Sequence, residues 1–99
     1  MKELIFLLSA DIDIQQAYGR YEDVQEGRGD CFLAELDGCF GLLKNNPKLG
    51  RRFDGPFRRL LLRDFPFGIF YEEETARIVV LGVMDLRQDP AHIQRRLRP

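Results

Sequence analysis

The side chains most capable of chemistry in this 99-residue chain are its arginines, and they crowd into one half. Residues 1–50 carry five Lys/Arg against nine Asp/Glu, a charge of −4. Residues 51–99 carry ten arginines and no lysine against seven Asp/Glu, a charge of +3, so the whole chain stands at −1. Guanidinium groups hold phosphates and carboxylates through paired N–H donors, and an acidic half joined to an arginine-rich half points to a polyanionic partner. Arg51, Arg52, Arg59, Arg63 and Arg87 are the candidate contacts. Groups able to move protons are few: Asp85 and Tyr71 beside the arginines, and His92, the single histidine, which reads as a solvated residue of a short helix. Cys31 and Cys39 are eight residues apart in what reads as one helix, too far to bridge each other, and both read as small packing residues. Nothing in the spacing of Cys and His suggests a metal, and no cofactor motif is present.

The elements that must position these residues follow from periodicity. Lys2 to Leu8 is a short apolar run of strand type, far below the ~20 residues of a membrane span. With no signal-peptide pattern after it, a cytoplasmic location without membrane contact is the default expectation. From Ser9 the period changes, and Ile14, Ala17, Tyr18, Tyr21 and Val24 recur at helical spacing with Ser9 or Asp11 as cap. Gly27-Arg28-Gly29 breaks that helix. Asp30 is placed to cap a second one, whose apolar face is Phe32, Leu36, Cys39, Phe40 and Leu43, ending at Asn45-Asn46-Pro47. So short a connection predicts an antiparallel helix hairpin.

Residues 47–56, punctuated by proline and glycine, read as a loop. Three strands follow: Phe57 to Asp64, then after a Phe65-Pro66 corner Phe67 to Glu73, then Ala76 to Met84 with the β-branched series Ile78, Val79, Val80 and Val83. Asp89-Pro90 opens a final short helix with Ile93 and Leu97 on one face. The expectation is one domain over residues 1–99 of α+β class, ordered β-α-α-β-β-β-α, with the helix hairpin packed on a mostly antiparallel four-stranded sheet.

Several motifs narrow this order. Arg58 to Tyr71, RRLLLRDFPFGIFY, resembles the strand-corner-strand signature of the RelE/ParE toxin superfamily. The segment RYEDVQEGRGDCF is similar to that family's Tyr-Glu helix and Gly-x-Gly break, with Tyr21, Glu22, Gly27, Gly29 and Phe32 in the matching places. Asn46-Pro47 and VVLGVMDLRQDPAHI resemble the end of the second helix and the last strand with its Asp-Pro tail. The resemblance implies a RelE/ParE-like fold and a small toxin silenced by a cognate antitoxin whose C-terminal segment wraps its surface. The superfamily's members either cleave mRNA on the ribosome or block DNA gyrase.

Departures from the pattern bear on that choice. RNA-cleaving relatives often carry histidine where this chain has Asp85, arginine where it has Gln88, and an aromatic where it has Ile93. Metal-free RNA cleavage by 2′-OH attack needs a base, an acid and cations. The cations are present: strand alternation puts Arg59 and Arg63 on one face and Arg58 on the other. Arg87 is near enough to join them on an open face, and Arg51 and Arg52 are placed to grip a phosphate. As a nuclease the chain would rely on Arg59, Arg63, Asp85 and Arg87, with Asp85 or Tyr71 moving protons. With the histidine missing and the charge near neutral, the expected function is a toxin that binds a protein target such as DNA gyrase. The alternatives are a ribosome-dependent mRNA endonuclease and a non-toxic partner in an antitoxin repressor complex.

Overall fold

The β-branched run Arg77–Asp85 forms the longest strand, β5, and the aromatic run Phe67–Glu73 forms its antiparallel neighbour β4. A computed structural model describes residues 1–98. Around these two strands stand β1 (Glu3–Phe6), α1 (Leu8–Val24), α2 (Arg28–Asn45), β2 (Arg51–Asp54), β3 (Phe57–Leu61) and α3 (Pro90–Leu97). The sheet runs β1-β5-β4-β3-β2, with β1 parallel to β5 and every other pair antiparallel. This is the expected α+β fold with one strand more than expected.

Alternation divides the side chains between two layers. Phe67, Ile69 and Tyr71 face the helix hairpin and pack with Phe32, Leu36 and Leu43 of α2. Phe70, between them, faces the other way with Phe57 and Met84, where Ile93 and Leu97 of α3 cover it. On β5 the inward residues are Ile78, Val80 and then Val83, a spacing that breaks the two-residue period. The ladder absorbs the shift: Phe70 pairs with Gly82 and Tyr71 with Val80, leaving Leu81 as an extra residue on the α3 side.

Three carboxylates on the hairpin close backbone groups that the strand ladders and the start of α2 leave open. β1 pairs with β5 only as far as Phe6 opposite Val80. Beyond that point α1 stands in for a strand: the Ser9 hydroxyl donates to the Leu81 carbonyl, and Asp13 accepts the Val83 N–H at 3.0 Å. The same Asp13 holds Arg96 of α3 in a two-bond fork at 2.9 and 3.2 Å. Gly82 makes room for this, since a Cβ there would lie 3.1 Å from Asp13 Oδ2 and 3.3 Å from Arg96 Nη2. Glu22, near the end of α1, accepts the N–H groups of Gly27 and Gly29 and so caps α2. Glu35 on α2 accepts from the backbone of Arg63 and Asp64 at the Phe-Pro corner.

These contacts account for the differences from the sequence reading. Residues 47–56 are not all loop: Gly55, at φ +54, and Pro56 make a tight turn that folds β2 back on β3, giving a fifth strand. β3 stops at Leu61 rather than Asp64 because Glu35 draws the next backbone N–H groups out of the ladder. Neither Ser9 nor Asp11 caps α1, which begins at Leu8, and Asp30 does not cap α2, a role taken by Glu22. At α3 the expected cap holds, with Asp89 accepting the Ala91 N–H at 3.0 Å ahead of Pro90. Among the described residues no helix is long and apolar enough to cross a membrane.

Asp13→Ala leaves the Val83 N–H and the Arg96 guanidinium without their acceptor, a loss of about 2–3 kcal/mol. That corresponds to a fall in Tm of roughly 10–20 °C for a domain of this size. Asn at the same position keeps an acceptor for Val83 and loses less. Urea melts of the two variants measure both values, and an alanine variant within about 0.5 kcal/mol of the wild type would remove Asp13 from this role.

Candidate functional site

The arginines proposed from the sequence fall at three separate stations. The first lies at the C-terminal end of β5 on the hairpin side. Arg87 folds back on Asp85: its backbone N–H, Nε and Nη2 all donate to that carboxylate, at 2.9, 3.0 and 2.7 Å. Arg20, Tyr21, Val24 and Phe67 line the adjoining cleft. The hydrogen bonds from the Arg87 side chain hold the Asp85 carboxyl below its ordinary range, and the same contact pushes Arg87 up. A carboxylate so held is a weak proton acceptor. Arg87 itself is 72% exposed, so its remaining donors face solvent.

Arg63 marks the second station, at the Phe-Pro corner. It lies beyond the end of β3, so it does not share a strand face with Arg59 as alternation predicts for a longer strand. The corner beneath it is an aromatic cluster. Phe65 stands 4.9 Å from Tyr21 and 5.3 Å from Phe32, edge to face, and Arg28 lies over the Phe65 ring at 4.3 Å. Beside Arg63 runs a groove of about 510 Å³ formed by Glu35, Gly38, Cys39, Leu42 and Leu61. Leu42 and Leu61 are both more than half exposed. Burial pushes the Cys39 thiol up, away from the reactive thiolate. Cys31 is exposed rather than packed, contrary to the sequence reading.

The hairpin β2–β3 is the third station. Arg51 stands opposite Arg59 and Arg52 opposite Arg58. Arg59 points to the α3 side, stacked 5.3 Å over the Phe53 ring, while its stem and Leu86 both crowd over Gly68. The middle of that face is closed, because α3 covers Phe57, Phe70 and Met84, while Arg59 stays half-buried and Arg51 exposed at its rim. Arg59 and the Asp85–Arg87 fork therefore lie on opposite faces of the sheet.

Neither remaining proton carrier joins these stations. Tyr71 is fully buried; its hydroxyl donates to the Pro47 carbonyl at 2.7 Å and accepts the Gly50 N–H at 2.9 Å, and burial pushes its pKa up. It ties the 47–50 segment to the sheet. His92 is exposed on α3. Among the described residues no group of three or more His, Cys, Asp or Glu side chains is placed to hold a metal ion. Sequence reasoning missed Asp13, Glu35 and Arg96, and named Glu22 only within the Tyr-Glu motif, not as the cap of α2. Only Glu22 carried a local signal, as an acid shortly before a Gly-x-Gly break.

The overall fold, a mixed sheet carrying a helix hairpin, is similar to that of a solved structure titled "Chromosomal ParDE TA system from P. aeruginosa". The TM-score is 0.78, at 19% identity, over 88% of this chain and 98% of that one. The profile of the family described as "ParE toxin of type II toxin-antitoxin system, parDE" matches residues 4–90. A comparison with curated proteins gives no match. The chain belongs to the ParE toxin family of type II toxin–antitoxin systems.

Tyr71→Phe strands the Gly50 N–H and the Pro47 carbonyl in a buried site and costs about 1–3 kcal/mol of stability. The folded fraction keeps its cellular effect, which a dose-matched growth assay checks; loss of effect from fully folded protein would give the hydroxyl a chemical role. At Asp85 the depressed carboxyl contributes stability above its unfolded pKa of about 4, lost as pH falls through the lower folded value. The stability gap between wild type and Asp85→Asn is thus present at neutral pH and closes in acid below about pH 4. A gap unchanged down to about pH 2 would contradict the fork.

Proposed function

We propose that this protein is the toxin of a parDE-type pair, held silent by a ParD-type antitoxin, and that it acts by binding a protein target such as DNA gyrase rather than by cutting RNA. The observation that carries the second part is the Asp85–Arg87 fork. Where an RNA-cleaving relative places a histidine, this chain has a carboxylate already engaged by three N–H donors and lowered in basicity. Tyr71, the other proton carrier considered, has both hydroxyl hydrogen-bonding roles filled inside the core. Arg59 and Arg63 stand at different stations, too dispersed to stabilise one phosphate together.

Features suited to a protein ligand support the reading. The groove beside Arg63 offers exposed Leu42 and Leu61 next to a cation, the mixed apolar and charged surface that protein interfaces use. The antitoxin part rests on the family and on the ParDE neighbour of the same fold.

Expression of the chain alone is expected to arrest growth with altered DNA topology while bulk mRNA stays intact. Co-expression of a ParD-type antitoxin restores growth. Asp85→Asn retains its effect, whereas a nuclease dependent on that base would lose ~10²–10⁴-fold in rate. Ribosome-dependent mRNA cleavage before any topological change would overturn the protein-target reading. Harmless expression would leave the chain as a non-toxic partner in a repressor complex.

A further inference from the structure

The β2–β3 hairpin breaks a rule of sheet construction. Residues directly opposite in an antiparallel pair project to the same side with Cβ atoms about 5 Å apart, and like charges there repel. Here two of the three paired positions of a four-residue strand are arginine against arginine. The inner pair is tied into the hairpin, with Arg58 Nη1 donating to the Gly50 carbonyl at 2.8 Å and Arg52 Nη1 to the Gly55 carbonyl at 3.1 Å. The outer pair, Arg51 and Arg59, has no carboxylate within 4 Å among the described residues. Asp54, the acid of the same hairpin, is taken by Arg98 at 3.0 Å.

Arg59 is also held in position. Its guanidinium stacks on Phe53, the extra residue of the β2 bulge, and Phe53 stands edge-on to buried Phe70 at 5.3 Å. A cation fixed on an aromatic shelf, facing a second across one ladder rung, loses little freedom when an anion arrives. We propose that Arg51 and Arg59 form a carboxylate clamp that takes an Asp or Glu side chain of a protein partner. The clamp rests on the toxin reading above only for the identity of that partner, the antitoxin.

Its size favours a polypeptide over a nucleic acid. A protein that tracks a phosphate backbone typically neutralises about 6–10 phosphates, whereas this clamp has two unpaired cations. The strand beyond it brings Glu72 into register with Phe57, on the same face as Arg59, whereas the next two acids are taken by Lys2, Lys48 and Arg77. Glu72 repels a continuing phosphate chain and leaves a single carboxylate bound at Arg51 and Arg59 undisturbed.

Fluorescence anisotropy with labelled poly-L-glutamate tests the clamp, with an oligodeoxythymidine of matched charge as comparison. The wild-type chain is expected to bind poly-L-glutamate more tightly than the oligonucleotide. R51Q/R59Q binds it about tenfold more weakly, the loss expected when charge-assisted hydrogen bonds go. R95Q, which removes an exposed arginine elsewhere, leaves binding unchanged. A second readout is independent of any ligand: relief of the like-charge rung raises the Tm of R51Q/R59Q by about 2–5 °C. Equal affinity in the double variant, tighter binding of the oligonucleotide, no binding by the wild type, or a lowered Tm each overturns the proposal. A chain that arrests growth yet ignores poly-L-glutamate keeps the toxin reading and loses the clamp.

Discussion

The Asp13 carboxylate joins three elements, α1, β5 and α3, at a single point. β5 is paired on both sides for its first half, but β1 runs out opposite Val80 and the remaining outer edge has no strand to face. An open N–H at a half-buried edge costs as much as a lost hydrogen bond. Asp13 supplies the acceptor from the second turn of α1, and its other oxygen bonds hold Arg96 of α3, which reaches it from the far layer. One charge pair thus fixes the hairpin layer against the strand and anchors the helix on the opposite face. The absence of a Cβ at Gly82 lets carboxylate and guanidinium approach this closely.

The same use of carboxylates accounts for three of the nine acids in the first half. Glu22 caps α2, Glu35 ends β3 and shapes the Phe-Pro corner, and Asp13 closes the edge of β5. Each accepts backbone N–H groups, an arrangement that favours the ionised acid without requiring an external partner. Asp85 is engaged in a similar way, by the backbone and side chain of Arg87, in a local fork. The arginines divide differently. Arg87, Arg96 and Arg98 each meet a carboxylate, whereas Arg51 and Arg59 meet only each other and an aromatic ring.

What could be seen in the sequence was whatever is decided within a few residues. The β4 run from Phe67 to Glu73, the Asp89-Pro90 start of α3 and the helix hairpin around Gly27 all follow from local periodicity and capping chemistry. What could not be seen was set across distance. Glu35 acts on residues 28 and 29 positions away, and nothing local in LLRDF says that the strand ends before Arg63. That single displacement separates Arg59 from Arg63. The four residues of β2 are too few to show alternation, and the Gly55-Pro56 signal that reads as loop is in fact the turn that makes the strand. α3 shows only Ile93 and Leu97 as apolar contacts, so its coverage of Phe57 and Phe70, which closes the middle of the face expected to be open, is legible only once the sheet's second core exists.

A charged edge strand has a simpler use than ligand binding, since charge on an edge deters pairing with other chains. β2 is an edge, and its arginines serve that end. Edge protection, however, is satisfied by one cation projecting from the edge strand itself. It does not call for a second cation directly opposite on the inner strand, where the two guanidinium groups repel across the rung. Nor does it call for an aromatic ring under that second cation, tied through Phe70 into the core. Arg51 alone accounts for the guard; Arg59, placed at a cost to the free protein, is accounted for by an anion that arrives from outside.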